Sequence, residues 1–176
     1  MKKIFLSILV LLLLFMSTSC LAIIDEMFFV DDNEIAEETF AEIIDAIKEE
    51  DDSKIVKIFS KSARKGKDIS QDASNLFEFV SGDIISVSST KDAGVGATEK
   101  KDEGKRIKEI QSSFCIETTE NKYHIAIKEC VTDEFDKNNE GVVSIYIIED
   151  SVWGQDYVYR GNAEWSKGIN IIDKVV

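Results

Sequence analysis

From Glu34 onward the apolar positions fall at Ala36, Phe40, Ile43, Ile44 and Ile47, spacings of three and four that gather them on one face of a helix. This predicts a first helix ending near Glu49. Asp51-Asp52-Ser53 follows, and its side-chain oxygens suit the free N–H groups and positive end of a second helix. The buried face of that helix is Ile55, Ile58, Phe59, Ser62 and Ala63. A third start is marked by Asp68-Ile69-Ser70-Gln71, with Ile69, Ala73, Leu76, Phe77 and Val80 at helical spacing before Gly82, a suitable C-terminal stop.

The period then drops to two. A strand is predicted over 84–88, a polar, glycine-containing loop over 91–104, and then a hairpin. Ile110, Ser112, Phe114 and Ile116 share one face of its first arm, and Tyr123, Ile125, Ile127 and Val131 one face of its second. A two-residue turn at Asn121-Lys122 aligns the apolar faces by setting Glu120 opposite Tyr123, Ile116 opposite Ile127 and Phe114 opposite Glu129. In that register Cys115 faces Lys128 and Cys130 faces Ser113. The two thiols are then diagonal neighbours about 7 to 8 Å apart, too far for an unstrained disulfide, and are expected to be free. Further strands are predicted over 142–149 and 168–173. The fold class is therefore α+β, with three N-terminal helices packed on a curved antiparallel sheet of four to five strands.

Ahead of this pattern, Lys2 and Lys3 precede an apolar run from Ile4 to Met16 broken only by Ser7, which reads as the basic and hydrophobic regions of an export leader. Ser17-Thr18-Ser19-Cys20 follows, and these small residues before a cysteine resemble the lipobox of bacterial lipoprotein signal peptides. Ser17 stands where that pattern usually has Leu, Val or Ile. The resemblance implies that Cys20 becomes the first mature residue and carries lipid, more than one acyl chain being needed for stable anchoring. The chain then divides into a leader over 1–20, a tether over 21–33 and a domain over 34–176, held on the extracytoplasmic face of the cell membrane. Two alternatives stay open: ordinary leader cleavage at Cys20-Leu21-Ala22, and an uncleaved span over the charge-free stretch from Ile4 to Ile24.

What remains after such a leader has the size of one domain with a proper core. Without Lys2 and Lys3 the formal charge falls from −13 to −15, so nucleic acid is excluded as a partner. Proline is absent, leaving turns to Gly, Asn, Asp and Ser.

Helices leading into a curved sheet resemble the nuclear transport factor 2-like (cystatin-like) superfamily. Lys54-Ile55-Val56-Lys57-Ile58-Phe59, Leu76-Phe77-Glu78-Phe79-Val80-Ser81-Gly82-Asp83 and Trp165-Ser166-Lys167-Gly168 are similar to a family of uncharacterised bacterial lipoproteins of that fold. The resemblance implies a sheet wrapped around the helices into a cone with a pocket. It brings no catalytic residue with it.

Candidate chemistry is sparse. His124, the single histidine, starts the second hairpin arm on the face of Ala126, Lys128 and Cys130, opposite the apolar one, and reads as surface decoration. Asp31-Asp32, Glu49-Glu50-Asp51-Asp52 and Glu149-Asp150 lie at element ends, where solvated acids are common. Residues 31–38 lack the ligand spacing and central glycine of a calcium loop, and Gly94-Val95-Gly96 is not followed by the helix start of a phosphate cradle. No catalytic residue, metal or cofactor is therefore assigned. The densest signal is C-terminal: Trp153, Tyr157, Tyr159, Arg160 and Trp165 form a candidate pocket or interface, because rings with polar edges favour such surfaces. The competing reading is that they seal the open end of the sheet. The expected function is a membrane-anchored, non-catalytic module binding a small ligand or a protein. The alternatives are a pocket enzyme of isomerase or hydrolase type and an acidic inhibitor or immunity protein.

Overall fold

The computed structural model describes residues 31–89, 94–153 and 165–173, so Cys20, the leader and most of the tether lie outside the described residues. The first helix, α1, spans Asp32–Glu49 and buries Ala36, Phe40, Ile43, Ile44, Ala46 and Ile47, the stripe its spacing predicts. The Asp51 carboxylate accepts from the Ser53 and Lys54 N–H groups to start α2, Asp52–Ile58. The predicted second helix is two. At Phe59 the chain turns extended and bridges Val142, and the Ser60 N–H donates to the Val142 carbonyl at 2.9 Å. The Ser60 hydroxyl then accepts from Ala63 N–H at 3.0 Å and caps a short α3, Lys61–Arg64. A link to the sheet thus overrides helical spacing that local sequence alone would extend. Capped by Asp68, α4 covers Ile69–Phe79. Its C-terminal end is tied down by the Tyr123 hydroxyl, which accepts from Ser81 N–H and donates to the Phe79 carbonyl, both at 3.1 Å.

Six strands follow: β1 Ile84–Ser89, β2 Gly96–Asp102, β3 Lys105–Thr118, β4 Lys122–Asp133, β5 Gly141–Glu149 and β6 Gly168–Ile172. They form one sheet in the order β1-β3-β4-β5-β6, with β2 also paired to the long β3. Two expectations are corrected here. The sheet is mixed rather than antiparallel, because β5 and β6 run parallel. A parallel pair needs a connection that returns the chain to the end of the sheet where β5 begins, and the stretch over 150–167 is long enough for that where a tight turn is not. Strand β2 occupies the predicted polar loop; it is exposed throughout and has no apolar alternation to betray it. What makes it a strand is the two-residue turn Glu103-Gly104, both at positive φ (49° and 78°), the backbone geometry that suits a tight hairpin.

The central hairpin also differs in register. Its arms pair Glu117 with Lys122, Ile116 with Tyr123, Phe114 with Ile125 and Ser112 with Ile127. The connection is longer than two residues: Thr118 N–H donates to the Asn121 carbonyl at 2.8 Å, and Thr118 Oγ1 accepts from the Glu120 and Asn121 N–H groups. Because the slip is an even number of residues, the apolar faces still coincide. The opposed pairs do change. Cys115 faces His124 and Cys130 faces Glu109, so the two free thiols are separated by several residues along the strands rather than by one diagonal.

The helices cover one face of the sheet. There Phe40 stacks on Phe114 with centroids 4.1 Å apart, and Ile43, Ile55, Leu76, Ile110, Ile116, Ile125, Ile127, Ile145 and Ile147 are almost fully buried around them. The other face, expected to be polar, is buried along β4 and β5: Ala126, Tyr146 and Ile148 belong to the buried hydrophobic set, and His124 is only 7% exposed. The near-continuous apolar run of β5, Val142-Val143-Ser144-Ile145-Tyr146-Ile147-Ile148, is what a strand buried on both faces requires.

Candidate functional site

The two described C-terminal rings, Trp153 and Trp165, meet the protein on this second face. Tyr157, Tyr159 and Arg160 lie outside the described residues. Trp165 packs edge-on against Tyr146, with centroids 5.7 Å apart. Its segment is fastened to β5 by polar bonds: the Ser144 hydroxyl donates to the Ser166 carbonyl at 2.5 Å, and Ser166 N–H donates to the Tyr146 hydroxyl at 3.1 Å. The Asn170 amide adds bonds to the Ile145, Ser166 and Gly168 carbonyls.

Between this segment and the end of the sheet lies an open cleft of about 360 Å³, with Trp165 and Lys167 on one side and Thr98, Lys100, Glu109, Lys128 and Cys130 on the strands. The strand residues come together because β2, β3 and β4 present them on the same face in register, Thr98 opposite Glu109 and Glu109 opposite Cys130. Ser60 and Asn139 also line it.

The cleft's ionisable groups are largely committed. Lys128 Nζ is 3.0 Å from Glu109 Oε1. The Asp133 carboxylate accepts from Asn139 Nδ2 at 2.7 Å and from the Phe135 and Asp136 N–H groups. The Asn139 bond leads these in holding it below the usual carboxylate range. Burial, with help from nearby acids, pushes the Cys130 thiol up to about 11, which keeps it protonated near neutrality. Lys100 and Lys167 are exposed and place two positive charges on the cleft, beside the paired Lys128 and Glu109 and the hydrogen-bonded Asp133.

His124 requires the plainest correction. It is on the face its register position predicted, yet that face is covered. The Trp153 ring stacks on the imidazole at 4.1 Å and 5°. Nε2 lies 2.6 Å from Asp150 Oδ1 and Nδ1 3.4 Å from Cys115 Sγ. The five-residue turn that ends β5 supplies both Asp150 and Trp153: Trp153 N–H donates to the Glu149 carbonyl, and Asp150 N–H donates to the Lys122 carbonyl at 2.8 Å. Of the predicted ring cluster, the described members therefore divide, Trp165 lining the cleft and Trp153 covering the histidine.

A third polar feature lies on the helix-covered face. Glu129 is 6% exposed among apolar residues. Its Oε2 accepts from Thr39 Oγ1 at 2.8 Å, while Oε1 is buried without a hydrogen-bond partner. Burial above all, opposed by the Thr39 bond and reinforced by Glu42, pushes its carboxyl up to about 7. A lone glutamate at an inward strand position was the available sequence signal. The predicted register already sets Glu129 inward, opposite Phe114; in the structure it pairs with Ile110 on that same face, and the register irregularity between β3 and β4 falls at Val131, beyond Cys130.

Among the described residues no three His, Cys, Asp or Glu side chains are grouped to hold a metal ion, and no helix is long and apolar enough to cross a membrane. No curated protein matches the sequence. The pattern of a family described as a domain of unknown function (DUF5104) matches residues 42–150, a span that includes Cys115, His124, Glu129 and Asp150 and stops short of Trp153 and Trp165. Since that span is more than half of the chain, the protein belongs to this family of uncharacterised domains.

Proposed function

We propose that the protein is a lipid-anchored, extracytoplasmic lipoprotein whose domain, a variant of the nuclear transport factor 2-like fold, is a non-catalytic module binding a small anionic ligand. The observation that carries this reading is the cleft on the second face, where Trp165 offers a flat apolar wall and Lys100 and Lys167 offer positive charge. Pockets with one apolar wall and a few placed polar groups suit small ligands. Binding is favoured over catalysis because Lys128, Asp133 and Cys130 are each tied up or shifted away from acid–base work near neutrality. The enzyme alternative needs a pocket between helices and sheet, and Phe40, Phe114 and their aliphatic neighbours occupy that space.

Native mass spectrometry of the full-length protein extracted from its own host tests the cleft. A bound small molecule that is retained by wild type and lost in Trp165→Ala is expected. Because Trp165 is only partly buried, the melting temperature should move by less than about 4 °C. A large drop in melting temperature with the bound mass retained would make Trp165 a filler. The anchor rests on Lys2-Lys3, the apolar run and Cys20. Wild type is expected to show a lipid-sized mass on an N-terminal Cys20, and Cys20→Ser to leave the membrane or keep its leader uncleaved. A Cys20→Ser protein that is processed and membrane-bound like wild type contradicts lipidation.

A further inference from the structure

Separate from the cleft, Cys115, His124 and Asp150 stand in a line across β3, β4 and the turn after β5. His124 Nε2 lies 2.6 Å from Asp150 Oδ1; an ionised carboxylate there accepts a hydrogen bond from Nε2–H, which sets the tautomer and leaves the Nδ1 lone pair toward the Cys115 thiol at 3.4 Å. The imidazole is 7% exposed and held flat by Trp153. Cys115 is the half-buried member of the two described cysteines, and Cys130 the buried one. A thiol beside a base that is itself oriented by a carboxylate is the arrangement of an activated nucleophile. Every component is placed by a strand ladder or a tight turn.

We propose that Cys115 is a thiol acceptor site, activated by His124 and positioned by Asp150, that takes up a small-molecule disulfide to form a stable mixed disulfide. The Cys115 sulfur attacks one sulfur of the disulfide, forming a new S–S bond as the old one breaks. The thiol proton passes to His124 Nδ1 and then to the departing thiolate, so cysteine is oxidised and the disulfide reduced. Disulfide exchange fits better than acyl transfer. An acyl intermediate needs main-chain N–H donors beside the nucleophile, and Cys115 sits in an internal strand laddered to both β1 and β4. The adduct persists because Cys130, opposite Glu109, is too far along the strands to resolve it.

The charged groups acting on Cys115 are Lys122, which favours the thiolate, and Asp150, which opposes it; burial outweighs both and raises the thiol above its ordinary value. Its reactivity near neutrality therefore depends on transfer of the proton to His124 during attack. The test is the rate at which the full-length protein reacts with 4,4′-dithiodipyridine across pH, with the modified residue located by peptide mass. Wild type is expected to modify Cys115 and spare Cys130. Asp150→Asn should slow Cys115 by about tenfold at neutral pH, and His124→Gln by about a hundredfold, the differences closing in alkali as the thiolate forms unaided. Asp150 is about half exposed, so its variant carries the test even if His124→Gln fails to fold. Equal rates for wild type and Asp150→Asn, or a Cys115 no faster than Cys130, overturn the proposal.

Discussion

Replacing Glu129 by glutamine is expected to stabilise the domain above neutral pH and to flatten its pH dependence. The carboxyl is buried with one oxygen unpartnered and pushed from 4.5 up to about 7, above its value in the unfolded chain. A raised carboxyl favours the folded state in its protonated form. Its contribution is fully present below the unfolded value and is lost as pH rises through the folded one, so stability declines over roughly pH 4.5 to 7. A shift of this size corresponds to about 3 kcal/mol. Glutamine keeps the shape and can still accept from Thr39 Oγ1, but it has no charge to bury. Urea unfolding at about pH 5 and about pH 8 should show wild type losing stability between the two while the variant does not, after allowing for the slope common to both. The depressed Asp51, Asp133 and Glu140 carboxyls act in the opposite sense, losing their contribution only as the solution becomes more acidic. Parallel curves for the two proteins would mean that Glu129 is solvated in solution.

The second large effect is at Gly141, where the break between α2 and α3 meets the sheet. Its φ is +117°, and a Cβ there would stand 2.9 Å from the Ile58 carbonyl oxygen, 3.0 Å from Ser60 N and 3.2 Å from Ser60 Cα. These are backbone atoms, fixed by the Ser60 N–H bond to Val142, and cannot swing aside. Gly141→Ala combines backbone strain with overpacking and is expected to cost about 3 kcal/mol or more. Gly66, also at positive φ but with nothing within 4 Å of the added Cβ, isolates the strain. Gly66→Ala should cost only about 1 kcal/mol. Equal losses in thermal unfolding would remove the close approach as the cause.

The contrast between these glycines shows where the sequence was legible. Helix stripes and caps were readable because Ala36 to Ile47, Asp51 and Asp68 act over one or two turns. The apolar faces of the hairpin were readable too, since a slip by an even number leaves them intact. The break at Phe59, the parallel return of β6 and the strand at Gly96–Asp102 were not, because each is settled by a partner far along the chain or by a positive-φ turn at Glu103. The candidate site was half legible for the same reason. The ring cluster pointed to Trp165 and Trp153, but what those rings cover depends on the hairpin register, and the correct register sets His124 opposite Cys115. Lys100 entered the cleft only because β2 folded onto β3.

A ligand is expected on the cleft side of the sheet and not between the sheet and the helices. A crystal structure of protein purified from its own host, without added ligand, is expected to show density in the cleft against Trp165 and between Lys100 and Lys167. Density lodged instead between helices and sheet beside Glu129, with the cleft holding only solvent, would contradict it and restore the cone-pocket reading.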